Sequence, residues 1–271
     1  MVMVGETKSH PWHMVDPSPW PLVGTIAAFV LAVGGIWYMH EGVPWLMLIG
    51  LLLLLATFFG WCRDVVRESV IQKSHTEPVN HGLRMGMLLF IASEVMFFFA
   101  FFWAYFHASV PWISAVASPI WPPEGIVPLE AWTIPFLNTL ILLTSGATVT
   151  YAHEAVRMGD QRKTVLGLAL TVGLGVIFLG FQIYEYGVAT FGFTEGIYPS
   201  TFYMATGFHG FHVFVGVCFL AVCLLRARAG HFTPKKHVGF EAAAWYWHFV
   251  DVVWLFLFVN IYWWGSSGYQ G

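Results

Sequence analysis

The chain has few charged residues and few cysteines, and these two shortages exclude several classes of protein. Charged residues make up 10% of its 271 residues, whereas a soluble globular domain contains about 25%. This excludes a soluble enzyme, and the scarcity of Lys and Arg excludes a basic nucleic-acid-binding surface. Three cysteines (Cys62, Cys218 and Cys223) lie in apolar surroundings with no CxxC spacing. We interpret them as packing residues, not as metal ligands or disulfide partners.

Apolar and aromatic residues are abundant instead. The chain is 58% hydrophobic, its mean hydropathy is +0.68, and it contains 25 Phe and 14 Trp. A membrane-spanning helix needs roughly 20 mostly apolar residues. Runs of this kind lie at 20–39, 44–61, 83–107, 131–151, 164–186, 200–225 and 240–264. They predict an all-α membrane protein with seven transmembrane helices, because barrel strands alternate over only about ten residues.

The Lys and Arg residues test this layout. All 12 fall on the amino-terminal flank or around the loops that follow spans two, four and six. By the positive-inside rule, the amino terminus lies inside and the carboxyl terminus outside. Residues 1–19 lack the apolar core of a signal peptide and are interpreted as an inside segment. The Pro-rich outside loop 108–130 cannot form a long helix, and we expect a folded cap or a partner contact there.

Glu94 lies in the middle of the third span, with no Lys or Arg within two turns of its own helix. A charge near the bilayer centre costs roughly 3 kcal/mol. The carboxyl should therefore be neutral or face a polar cavity. Two interpretations stay open: a carboxyl that exchanges protons or contacts lipid, and a protonated carboxyl that is hydrogen-bonded to a neighbouring helix.

Three histidines lie inside the last two spans, at His209, His212 and His248, and Asp251 follows His248 by one turn. They could form a haem or metal site. However, His209 and His212 share one helix, whereas axial haem ligation normally uses opposing helices. We favour hydrogen bonds between helices that lock the bundle, with His248 and Asp251 satisfying each other. Glu185 lies near the outer end of the fifth span.

Charged residues and histidines gather on the predicted inside surface, at the end of span two and near the loop between spans six and seven. They are Arg63, Asp64, Arg67, Glu68, His75, Arg84, Arg226, His231, Lys235, Lys236 and His237. One interpretation is ordinary positive-inside charge at helix ends. The other is a pocket for anionic or zwitterionic lipid headgroups, with Trp61 covering acyl chain or glycerol.

Seven spans leave two function classes open. A retinal protein would need a Lys inside a span for its Schiff base, and there is none. A seven-helix receptor would need its amino terminus outside. An autonomous proton or ion transporter with Glu94 as the coupling carboxyl remains possible. An accessory subunit of a larger membrane complex remains as well.

Several strings along the chain carry a family resemblance. They are HPWHMVDPSPWP at 10–21, WCRDVVRE at 61–68, GLRMG at 82–86, SEV at 93–95, ATGFHGFH at 205–212, GFEAAAWYWHFVDVVW at 239–254 and YWWG at 262–265. On these strings the sequence resembles subunit III of the cytochrome c oxidases, in the haem–copper family. The likeness covers essentially the whole chain, in the same order of seven spans.

The resemblance implies a fold in which helices one and two (20–72) are separated from a five-helix bundle (73–271) by a lipid-filled cleft. It implies a complex that reduces dioxygen to water with electrons from cytochrome c and pumps protons. Haem and copper would lie in the partner subunits I and II, and cytochrome c would be met only through the complex. This chain would hold no metal and no catalytic residue. It would bind phospholipid, support proton uptake, protect the oxidase during turnover and offer oxygen a route.

The family's lipid-contact pattern matches seven residues of this sequence: Trp61, Arg67, Glu68, His75, Arg84, Arg226 and His231. Glu94 matches the family's buried, carbodiimide-reactive carboxyl. Cys62 departs from the pattern, because relatives often carry a second Trp there. We further expect the inside loops 157–163 and 228–237 to collect protons, and Glu94 not to be an obligatory relay. A bacterial cytoplasmic membrane is favoured over the mitochondrial inner membrane.

Overall fold

The computed structural model describes residues 17–111, 113–114, 118 and 120–267. Most of the predicted amino-terminal segment 1–19 therefore lies outside the described residues. The helices are α1 (Trp20–Glu41), α2 (Trp45–Val70), α3 (Glu77–Ser109), α4 (Ile134–Arg157), α5 (Gln161–Val188), α6 (Ile197–Arg228) and α7 (Val238–Leu257), and a π-helical segment (Phe258–Trp264) continues α7. Among the described residues, seven helices, with α7 counted to Trp264, are long and apolar enough to cross a membrane. The prediction of an all-α protein with seven transmembrane helices is confirmed.

The helices extend beyond the predicted spans, by six residues at the end of α4, which reaches Arg157, and most at the connection between α2 and α3. α2 continues past Trp61 to Val70, and α3 begins at Glu77, before the predicted start at Leu83. The apolar runs marked only the parts that suit a hydrocarbon core, whereas a helix can continue with charged side chains once it leaves that core. The connection is consequently a short turn at 71–76.

The chain divides into two compact units, Met1–Leu83 and Arg84–Gly271, and the boundary falls inside α3. In the first unit α1 packs against α2. Every buried residue of this helix pair is small, and they are Ala27, Gly34, Gly50, Thr57 and Gly60. Small residues let two helix backbones approach closely, which is a common way of packing helices in membranes.

Two glycines show how close this approach is. A Cβ at Gly34 would overlap the backbone of Leu46 and Met47, and a Cβ at Gly50 would overlap the backbone of Leu31. A larger residue at either position would therefore push the helices apart. Shape, and not hydrogen bonding, sets the distance between α1 and α2 along their apolar middle.

The second unit has a core of large aromatic side chains and hydrogen-bonded polar residues. Trp247 and Trp254 are fully buried in α7. Their indole N–H groups donate to the hydroxyls of Ser145 and Thr139 in α4, each at 2.9 Å. A buried indole needs such an acceptor, and the bond fixes the register between the two helices.

The described part of the predicted outside loop folds back on the second unit. The Trp121 indole donates to the hydroxyl of Tyr105 at 3.0 Å, and that hydroxyl donates to the carbonyl of Asn260 at 3.3 Å. The Trp121 ring also packs against Tyr198, with 5.4 Å between ring centroids. Residues around Trp121 thus cap this end of the bundle, as one of the two predictions for the loop required.

Candidate functional site

Four predicted lipid-contact residues lie in the first unit, at the end of α2 and just after it. Trp61 and Arg67 are exposed on the last turns of α2, and Glu68 is half-buried there. Trp61 and Glu68 are two helical turns apart and lie on the same side of the helix. His75 follows in the turn before α3 and is half-buried. An indole, a guanidinium and a carboxylate near one helix end suit a zwitterionic headgroup.

A hydrogen bond joins the same end of α2 to the start of α1. The Trp20 indole donates to Asp64 at 2.7 Å, and the Arg63 guanidinium pairs with the other oxygen of that carboxylate at 3.0 Å. Sequence reasoning counted Asp64 only as part of the charged cluster. The structure uses it to join two helices, and no local pattern could have paired residues so far apart in the sequence.

Arg226 and His231 lie together in the second unit, where α6 ends. The Arg226 guanidinium lies 4.7 Å above the centre of the Phe232 ring, a cation–π contact. Its buried Nε has no hydrogen-bond partner among the described residues, and the same holds for Nδ1 of His231. The backbone N–H of His231 donates to the carbonyl of Arg226 at 3.0 Å. Arg226 forms no ion pair with the described residues, so its positive charge has no acidic partner there.

Arg84 differs from Arg226 because it has an acidic partner. Its Nε donates to Glu241 at 2.9 Å, and the Glu241 carboxylate is mostly buried. This ion pair joins α3 to the first turn of α7. Sequence reasoning did not assign Glu241, although it lies in the long string 239–254. The available signal was a lone carboxylate on the basic side of the bundle, which needs a cation there.

Glu94 finds its partner on another helix. Its carboxyl lies 2.8 Å from Nε2 of His212 in α6, and Nδ1 of that imidazole lies 2.7 Å from the carbonyl of Phe208. A carbonyl only accepts, so Nδ1 carries a hydrogen. Nε2 then either accepts from a protonated Glu94 or donates to its carboxylate. In both cases the Glu94–His212 pair is neutral as a whole, which lowers the cost of placing it in a membrane.

The structure does not bring His209, His212 and His248 together. His209 bonds to the carbonyl of Val250 at 3.1 Å, and His248 lies 3.2 Å from the Thr150 hydroxyl and 3.6 Å from Asp251. Each histidine therefore makes a bond to another helix, as the favoured interpretation predicted. His248 and Asp251 do not satisfy each other, because 3.6 Å is too long for a hydrogen bond and Oδ1 of Asp251 has no partner among the described residues. Within the described ranges there is no group of three or more His, Cys, Asp or Glu side chains that could hold a metal ion.

The two loops expected to collect protons lie side by side in the second unit. The Gln161 amide at the start of α5 donates to the carbonyl of Ala227 at the end of α6, at 3.0 Å. The rings of His153 and His237 are 5.4 Å apart. Asp160 caps α5 by accepting from the backbone N–H of Lys163 at 3.1 Å. This hydrogen bond and the Lys163 ammonium lower the pKa of the Asp160 carboxyl below its usual value.

Comparison with known proteins identifies the family of this chain. A family model described as cytochrome c oxidase subunit III matches residues 10–266. A protein named cytochrome c oxidase subunit 3 from Prototheca wickerhamii is 58% identical over 263 residues, 96% of this chain and all of that protein. Proteins of the same name from Arabidopsis thaliana and Cyprinus carpio are 56% and 54% identical, over 96% of this chain and 99% of each relative. The chain therefore belongs to the cytochrome c oxidase subunit III family.

Proposed function

We propose that this chain is a non-redox core subunit of a proton-pumping cytochrome c oxidase. In that complex, electrons from cytochrome c reduce dioxygen to water in subunits I and II, which hold the haem and copper. This chain stabilises the catalytic subunit, supports proton uptake, binds phospholipid and offers oxygen a route. The observation that carries the proposal is the match to oxidase subunits over 96% of the chain.

Purification through a tag on this chain, followed by a reduced-minus-oxidised optical spectrum, tests the role as a subunit. We expect haem bands to elute with larger partner subunits and to leave the tagged fraction when this chain is stripped away alone. Haem that stays with the isolated chain would contradict the proposal. Absence of both haem and partners under gentle conditions would favour the autonomous transporter, which predicts proton or ion flux by the purified chain in liposomes.

The proposed phospholipid contacts rest on observations made separately in the two units. In the first unit, exposed Trp61 and Arg67 at the end of α2 can meet acyl chain and phosphate. In the second unit, the half-buried Arg226 holds its guanidinium beside an aromatic ring. Charge-assisted bonds to phosphate are stronger than neutral ones. Arg84 contributes less, because Glu241 already neutralises it.

Native mass spectrometry of Arg226→Ala tests the lipid contact in the second unit. We expect the variant to retain less phospholipid than the parent after gentle delipidation. Arg228→Ala is the matched control, because Arg228 is exposed at the same helix end. Equal lipid retention in Arg226→Ala and the parent would contradict the proposed contact.

Glu94 is proposed to shape its surroundings and not to relay protons. The hydrogen-bonded path from Glu94 passes to His212 and ends at the carbonyl of Phe208, which cannot pass on a proton. Glu94→Gln should therefore pump protons with the stoichiometry of the parent. Complete loss of pumping in a normally assembled complex would overturn this role.

Proton collection is proposed for the neighbouring loops 157–163 and 228–237. Support comes from the contact between Gln161 and Ala227 and from the adjacent rings of His153 and His237, which place titratable groups on one surface. Replacing His153 and His237 by Gln should change the pH dependence of turnover. An unchanged pH profile would remove the support for this role.

The membrane that holds this chain is proposed to be the mitochondrial inner membrane. The relatives named above come from a plant, an alga and a fish, and they favour the mitochondrial inner membrane, not the bacterial cytoplasmic membrane expected from the sequence. The proposed chemistry is the same in both membranes. The proposed orientation, with the amino terminus inside, rests on the distribution of Lys and Arg.

A further inference from the structure

A polar cluster lies buried in the second unit, near the carboxyl end of α5, and has no part in the proposed function. Gln182 and Glu185 of α5 meet Tyr262 of the π-helical segment there, and Asn138 of α4 is added to them by helix register. Their exposed fractions are 3%, 1%, 1% and 0%. We call these four residues the Glu185 cluster. Such a concentration of polar groups inside a membrane bundle requires a chemical reason.

Helix register places Asn138 at the level of Gln182. α4 and α5 run antiparallel, and the hydroxyls of Thr148 and Thr171 meet at 2.7 Å. Asn138 precedes Thr148 by ten residues on α4, and Phe181 follows Thr171 by ten residues on α5. Asn138 therefore lies opposite the turn of α5 that contains Gln182. Both residues lie on the buried faces of their helices.

Hydrogen bonding within the cluster is incomplete. Oε1 of Glu185 accepts from the Tyr262 hydroxyl and from the Gln182 amide, the second at 3.4 Å. The Gln182 amide also lies 3.5 Å from the Tyr262 oxygen. No hydrogen-bond partner among the described residues meets Oε2 of Glu185, Oε1 of Gln182 or either polar atom of Asn138. Buried polar groups are rarely left in this state.

The spans around this cluster contain no Lys or Arg, and the nearby buried His209 bonds through Nε2 to the carbonyl of Val250 and not to the cluster. The sequence has no Lys or Arg in 85–156, 164–225 or 237–271. Lys163 lies on the same helix as Glu185 but about 33 Å away at 1.5 Å of rise per residue. An isolated, ionised carboxylate in such surroundings costs several kcal/mol, whereas a neutral acid does not. A proton on Oε2 also supplies a donor, which the surrounding amide oxygens need.

We propose that Glu185 carries a proton and, with Asn138 and Gln182, binds a buried water molecule. The water accepts from the Glu185 O–H and from the Asn138 amide, and it donates to the Gln182 oxygen. Three such bonds are typical of an internal water. These bonds give partners to Oε2 of Glu185, Oε1 of Gln182 and Nδ2 of Asn138, and the site holds one exchangeable proton without net charge.

Infrared difference spectroscopy of the full chain in its purified assembly, parent minus Glu185→Gln, tests the proton. At neutral pH we expect the loss of one protonated carboxyl C=O band, which shifts to lower frequency in D2O. Glu195→Gln is the control, because Glu195 is exposed and should remove only carboxylate bands. Loss of carboxylate bands in Glu185→Gln would overturn the proposal. If Glu185→Gln fails to fold, Tyr262→Phe replaces it, because the Tyr262 hydroxyl donates to Oε1 of Glu185. We expect Tyr262→Phe to shift the protonated C=O band, and an unshifted band would overturn the proposal.

A high-resolution structure of the assembly tests the water. We expect density for one water between Asn138 and Glu185 in the parent and none in Asn138→Leu. The melting temperature should fall in Asn138→Leu and stay near the parent value in Glu185→Gln, because Gln resembles a neutral acid. Direct contact between Asn138 and Glu185 without density for water would refute water binding.

Discussion

The two units hold their helices together by different means. In the first unit, α1 and α2 meet through small residues, and the buried positions include three glycines. In the second unit, small residues such as Gly167 and Ala152 also meet closely, but large aromatic and polar side chains are buried with them, and hydrogen bonds link one helix to the next. Hydrocarbon surroundings give little hydrophobic drive for helix association, so packing and hydrogen bonds are the two available means.

The two units should therefore respond differently to mutation. Packing by shape tolerates no added volume at the closest contacts but does not depend on the chemistry of single groups. Packing by hydrogen-bonded pairs depends on both partners, because the loss of one leaves the other unsatisfied.

Added volume should damage the first unit most. Gly50→Leu places a side chain against the backbone of Leu31 and should destabilise α1–α2 packing by about 3 kcal/mol, the upper end of overpacking costs. Thermal unfolding of the full chain in detergent measures the effect. Gly35→Leu is the control, because a Cβ at Gly35 meets nothing within 4 Å. Equal destabilisation by both variants would contradict packing by shape.

Loss of one partner should damage the second unit. His212→Leu leaves the Glu94 carboxyl without its partner at 2.8 Å and should cost about 1–3 kcal/mol. Adding Glu94→Leu should restore part of the stability, because the unsatisfied carboxyl is removed as well. A double-mutant cycle on thermal unfolding measures this coupling, and strict additivity would show that the pair does not interact.

Removal of one indole donor should have a smaller effect. Trp254→Phe keeps the aromatic ring but loses the bond to Thr139, and should destabilise the second unit by about 1 kcal/mol. Trp103→Phe serves as the comparison, since Trp103 is exposed on α3. The same unfolding assay measures both variants. A similar change in both would indicate that lost ring area, and not the hydrogen bond, explains the result.

Acidic pH should weaken the start of α5 only slightly. Because the pKa of Asp160 is lowered in the folded protein, its carboxylate stabilises the fold above its unfolded pKa, and that contribution is lost as pH falls through the folded pKa. Asp160→Asn should therefore flatten the pH dependence of the melting temperature below about pH 4. By contrast, α1 and α2 have no side-chain cap. An unchanged pH profile in Asp160→Asn would contradict this assignment.

The sequence predicted the number and order of helices because apolar length is a local property. It did not predict how far α2 and α3 extend, because a helix can leave the membrane without ending. The end of α2 at Val70 and the start of α3 at Glu77 lie beyond the apolar runs. These positions depend on where the backbone turns, and hydropathy does not describe that.

The sequence indicated which residues belong to the candidate sites, but not which of them contact each other. Glu94 was recognised as a carboxyl that needs a partner, whereas His212 was first considered for a metal site. Glu241 beside Arg84 and Asp64 beside Trp20 were not predicted as pairs. Each of these contacts joins residues far apart in the sequence, so only the packing of the helices brings them together.

The role as a supporting, non-redox subunit can be tested by removing this chain from the purified oxidase and adding it back. Haem content, the rate of proton uptake and the number of turnovers before inactivation are measured with and without the chain. We expect unchanged haem content, but fewer turnovers and slower proton uptake without the chain, both restored on re-addition. Loss of haem with this chain, or no change in turnover lifetime and proton uptake, would contradict a supporting, non-redox subunit.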